Sequence, residues 1–146
     1  MSKFFQAFLT GIFFTFILDF FLFLGIKENY IDFYEIDLYY NILFADNQCW
    51  LIYGAISTLL GFIVIYLSNN RVSAIVLGGL FFLVSLTLIP SIGFALGTVL
   101  LTQKDVRLHD DRHTFIGDIY YSGRTTITFY DVELKKIITL EKKDLK

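Results

Sequence analysis

"FFTFILDFFLF", residues 13–23, decides what kind of protein this is. Ten of these eleven residues tolerate hydrocarbon, and the eleventh, Asp19, is an acid. The apolar run extends in both directions, over residues 4–26. About 20 apolar residues suffice for a helix to cross a hydrocarbon core roughly 30 Å thick. Two further apolar blocks follow, at residues 49–67 and 72–101. Together they raise the hydrophobic share to 55% and the mean hydropathy to +0.62. Soluble domains lie nearer 45–50% apolar, roughly. A chain of 146 residues has too small an interior to hide three such blocks. The expected fold is therefore a membrane all-α region with three or four transmembrane helices, residues 1–103. A small soluble β-meander tail, residues 104–146, is expected to follow.

Charge and cysteine content exclude several classes. The net charge is −2, and no basic patch points to nucleic acid. Cys49 is the single cysteine, so no internal disulfide can form. Met1-Ser2-Lys3 before an apolar run resembles a secretory signal, but this run is too long and lacks a small-residue cleavage site. It reads as an uncleaved first helix.

The segment between the first two blocks, residues 27–48, is acidic and aromatic together. Residues 35–42 alternate polar and apolar, as a strand does. The tyrosines also suit a helix lying in the headgroup layer, which is the favoured reading. Trp50 and Tyr53 then open the second block as interfacial aromatics.

The third block is too long for one straight span. As a single helix it would measure about 45 Å. Pro90 interrupts it, so it is either strongly kinked or split into two short arms. Positive charge inside the cell arbitrates. Three crossings with the N-terminus inside leave Lys3 and Arg71 inside and Lys27, Lys104, Arg107 and Arg112 outside, the wrong balance. Reversing the orientation, or splitting the block at Pro90 into two crossings, corrects it. Both corrected topologies put the tail in the cytoplasm, and the chain in a bacterial-type inner membrane.

In the tail, "TFIGDIYY", "TTITFY" and "IITL" read as three strands over residues 114–140, with turns at "SGR" and "DVELKK". Three strands bury one face and leave two edges open. The tail is thus expected to pack on a copy of itself or on another membrane protein.

Four features bear on chemistry. Asp19 costs about 2.5–3.5 kcal/mol to insert on translocon scales, and its neutral form costs less to bury. It is a proton or cation site, a group close enough to the membrane surface to reach water, with Lys27 about 12 Å further along the axis, or a structural hydrogen-bonding group. Ser57, Thr58, Ser85, Thr87 and Thr98 are its candidate partners, since the spans contain no Lys, Arg or His. His109 and His113 stand four apart, on one face of any helix there, with Asp105 a turn earlier. Two histidines fall short of a zinc site, so no metal or other cofactor is expected. Asp32, Glu35 and Asp37 read as a solvated acidic face, because the loop lacks the ligand spacing of a calcium loop. Gly93-x-x-x-Gly97 allows close helix packing. No phosphate loop, nucleophile elbow or His-Glu-x-x-His motif is present, so an enzyme is not expected.

"IGDIYYSGRTTITFYD" with "KKIITL" resembles the β-domain that follows the pore helix of small-conductance mechanosensitive channels. The resemblance implies membrane helices leading into a β-module. Residues 72–101 lack that family's dense Ala/Gly pattern, and its larger C-terminal domain has no counterpart here, so no residue role carries over. A looser likeness is to short membrane proteins with an OB-type C-terminal domain. The expected function is an accessory or scaffold subunit of an inner-membrane assembly, with lipid, a second copy or another membrane protein as partners. The alternative is an oligomeric ion or proton channel or transporter using Asp19.

Overall fold

The computed structural model describes residues 2–67, 69–110 and 113–145. The chain is mostly helical, with a four-stranded antiparallel sheet toward the C-terminus. It forms two compact units, the first ending at Phe94 and the second beginning at Ala95.

The first unit is built on α1, Lys3–Ile26. Ser2 caps it: the side-chain hydroxyl accepts a bond from the Phe5 N–H at 3.4 Å. The helix then widens into a π turn over Lys27–Ile31, closed by an ion pair between Lys27 and Asp32. A turn and a short extended stretch lead to α2, Tyr40–Asn47. The strand-like alternation at 35–42 thus does not make a strand, because no neighbouring strand is there to pair with it and tertiary packing decides. Leu43 of α2 is fully buried, and Phe44 meets the rings of Phe16 and Phe23 on α1. Gln48 and Cys49 break the helix, and α3, Trp50–Tyr66, leaves at 88° to α2.

Next, Asn69 caps α4, Asn70–Ser85, by accepting the Arg71 N–H at 3.1 Å. The third apolar block is split. After α4 comes one 3-10 turn, Leu86–Leu88, and then an extended Ile89. Pro90 opens α5, Pro90–Leu101. Proline disfavours helix in the residue before it and is at ease in the first helical position, where no N–H is needed. At about 1.5 Å per residue α5 spans about 18 Å, well short of a hydrocarbon core. Two helical stretches, Lys3–Ile31 and Asn70–Leu88, are long and apolar enough to cross a membrane. The bent pair α2–α3 makes a third if taken as one span.

The second unit carries strands β1, Gln103–His109; β2, Thr114–Ser122; β3, Thr126–Asp131; and β4, Lys136–Glu141. They pair in sequence order, each antiparallel to the next. The sequence-predicted meander of three strands therefore gains a fourth, because "QKDVRLH" presents Val106 and Leu108 to the same face as Phe115. That face carries the core: Ile119, Ile127 and Phe129 are buried, with Val106, Leu108, Phe115, Ile138 and Leu140 packed around them. Register shifts at Gln103/Val106 and Ile119/Tyr121 bend the sheet. A 3-10 turn at Lys142–Asp144 returns the chain, and Leu145 bridges Asp110 while packing on the same cluster. The β1 edge at Asp110 is thereby covered rather than open.

Candidate functional site

The position of Asp19 follows from how α1 meets α3. Ala7, Gly11 and Thr15 stand four apart on one stripe of α1, and all are buried. Ser57 and Gly61 form the matching stripe on α3. A Cβ on Gly11 would lie 1.7 Å from the Ser57 carbonyl oxygen, and one on Gly61 would lie 1.9 Å from that of Ala7. The two backbones therefore touch, which only small residues permit. The Tyr53 hydroxyl donates to the Ile12 carbonyl at 3.0 Å and ties the pair further along.

One turn beyond Thr15, Asp19 faces the elbow between α2 and α3. Its Oδ2 accepts a hydrogen bond from Gln48 Nε2 at 3.0 Å. None of the five hydroxyl residues anticipated as partners makes this contact. Thr58 donates to Gly54, Ser85 to Phe81, and Thr87 to Phe21 and Val84. Ser57 is fully buried at the crossing, and its hydroxyl has no partner among the described residues. Thr98 lies on α5, in the second unit. Gln48 Oε1 is buried and also lacks a partner among the described residues. Beside the pair lies a cavity of about 130 Å³, lined by Leu22, Phe23, Cys49, Ile52, Tyr53 and Ile56 among others.

A second polar knot sits at the helix break. Splitting a helix frees carbonyls that hydrocarbon cannot satisfy. The Asn29 amide nitrogen takes up this duty, lying 3.0 Å from the Gly25 oxygen, 3.1 Å from that of Thr87 and 3.4 Å from that of Leu88. The approach needs glycine on both sides. A Cβ on Gly25 would lie 2.5 Å from the Thr87 oxygen, and one on Gly93 would lie 2.3 Å from it. Gly93 thus packs against the break and the end of α1, and Gly97 is buried on the next turn of α5.

The remaining candidates do not converge on a site. His109 ends β1 and pairs with Thr114, while His113 stands just before β2, its ring 6.3 Å from that of Phe115. The helical spacing anticipated for them does not arise, because His109 sits on one of two antiparallel strands and His113 precedes the other: the Asp110 N–H donates to the His113 carbonyl at 2.9 Å. Arg112, counted in the charge balance, lies outside the described residues. Among the described residues no three His, Cys, Asp or Glu side chains gather as a metal ion would need. In the acidic segment Asp32 is paired with Lys27, while Glu35 and Asp37 are exposed. Cys49 is free and exposed at the elbow.

The sequence reading overlooked Gln48 and Asn29. Each is an amide beside an apolar block, and both make long-range contacts that periodicity does not reveal. The chain matches no protein-family model, no curated protein and no solved structure at a significant level.

Proposed function

We propose that this chain is a small multi-pass integral membrane protein acting as an accessory or scaffold subunit of an inner-membrane assembly, with its C-terminal sheet in the cytoplasm. The observation that carries the reading is the direction of its polar groups. Inside the helical unit several of them close on the chain itself: Asn29, Thr87, Ser73 and Tyr53 all donate to backbone carbonyls of neighbouring segments. The outward surfaces are left to Phe13, Leu51, Leu59, Ile75 and Phe82, all more than half exposed. A soluble protein would not leave such a surface to water, and a bilayer accepts it. Gly54, Gly78 and Gly79 have open space at Cα, which lets a partner helix approach closely.

The second reading is an oligomeric channel or transporter, and the cavity beside Asp19 with the unpaired Gln48 oxygen favours it. Purification in mild detergent separates the two. A scaffold co-purifies with a different membrane protein and keeps doing so with Asp19→Asn. A channel runs as a homo-oligomer and loses ion flux in vesicles with the same change.

A further inference from the structure

We propose that the turn between β3 and β4 is a docking element for an anionic phospholipid surface. The inference rests on the membrane reading above and adds a contact that reading does not require.

The turn is stiff. Asp131 is buried at its base, and its Oδ1 accepts the Glu133 N–H at 2.8 Å and the Leu134 N–H at 3.0 Å. Lys135 closes it in a left-handed conformation, at φ 52°. The Val132 N–H donates to the Ile116 carbonyl at 3.0 Å and ties the turn to β2. With Asp131 occupied by the backbone, the turn shows apolar side chains outward. Val132 is 54% exposed and Leu134 is 55% exposed; Ile116 and Ile137 beside them stand at 39% and 44%. None of these four side chains belongs to the buried cluster around Ile119, Ile127 and Phe129, so they are surplus to the core.

The surrounding charge identifies the occupant. Lys135 and Lys136 follow Leu134 directly, and Arg107 stands opposite Ile116 in the register. All three are exposed, against two exposed acids, Glu133 and Asp105, for a balance of +1. Apolar side chains ringed by cations match the boundary between acyl chains and anionic headgroups. A braced turn also loses little freedom on docking. Each cation near such a surface shifts the docked-to-undocked ratio by roughly five-fold.

The test uses the full chain carrying Cys49→Ser and Leu134→Cys, labelled with an environment-sensitive fluorophore. It is reconstituted in vesicles of phosphatidylcholine, or of phosphatidylcholine and phosphatidylglycerol in equal parts. The expected result is co-flotation with both vesicles, with a blue shift and quenching by nitroxide-labelled lipid only in the anionic ones. Adding Lys135→Gln and Lys136→Gln should lower the docked ratio by roughly 25-fold. Co-flotation with a probe that stays in water overturns the proposal. So does shielding that is equal in both vesicles or grows with protein density, which would mean contact with a second copy. Failure to co-float overturns the membrane reading and the docking proposal with it.

Discussion

Asp19 and Gln48 form a pair in which each group restrains the other. Replacing one by leucine strands the other, and a buried unpaired polar group costs about 1–3 kcal/mol. Contacts between membrane helices average only about 0.6 kcal/mol, so the net loss lies at the low end of that range. Asp19→Asn keeps an acceptor facing the Gln48 amide nitrogen, and is expected to hold stability within about 1 kcal/mol of the parent. Asp19→Leu and Gln48→Leu should each destabilise, and the double variant should lose less than their sum. Equilibrium unfolding of the four proteins in detergent checks this, and strict additivity would refute the pairing. Asp19 could be singled out from the sequence because a lone acid in an apolar run is conspicuous. Its partner could not, because Gln48 belongs to a polar linker and reaches α1 only through the 88° elbow.

At the scale of elements, glycine separates into two kinds. At Gly11 and Gly61 a neighbouring backbone occupies the space a side chain would need, whereas at Gly54 and Gly78 nothing stands within 4 Å. Gly11→Ala and Gly61→Ala should each destabilise by about 1–3 kcal/mol through overpacking. Gly54→Ala and Gly78→Ala should change stability by no more than about 0.5 kcal/mol, or improve it through helix propensity. Thermal unfolding in detergent compares all four, and equal effects would sink the proposed crossing. Sequence spacing pointed to Gly93 and Gly97, a visible small-residue pair on one helix. The stripes Ala7, Gly11, Thr15 and Ser57, Gly61 carry the same signal, but their meeting joins two helices fifty residues apart in the chain. The first strand was hidden for another reason. Its Lys104, Asp105 and Arg107 read as charge at a membrane exit, which masked the alternation of Val106 and Leu108.

For the whole molecule, the two units make separate demands. The sequence led to the expectation that the tail alone would be unfolded or self-associating, since three strands leave a bare face. With a fourth strand and Leu145 laid on the cluster, residues 102–146 are now expected to fold when expressed apart from the helices. Leu145→Ala should lower that fragment's stability by about 2 kcal/mol or more, as truncation of a packed leucine does. A well-dispersed amide spectrum for the parent and a poorer one for the variant are the expected observations. A collapsed spectrum for the parent would restore the earlier expectation. Orientation is tested on the full chain. Alkaline phosphatase fused after Lys146 should be inactive and a fluorescent protein bright, given Lys104 and Arg107 on β1.

The elbow at Gln48 has a consequence for the sheet of lipid around the protein. If α3 stands across the bilayer, α2 at 88° to it lies along the surface, about 12 Å long and about 10 Å wide. It then fills area in one leaflet only. Such an imbalance favours a bent membrane over a flat one. The chain should accordingly enrich on narrow lipid tubes pulled from a giant vesicle. Replacing residues 40–47 with a flexible polar linker of equal length should level its density between tube and vesicle.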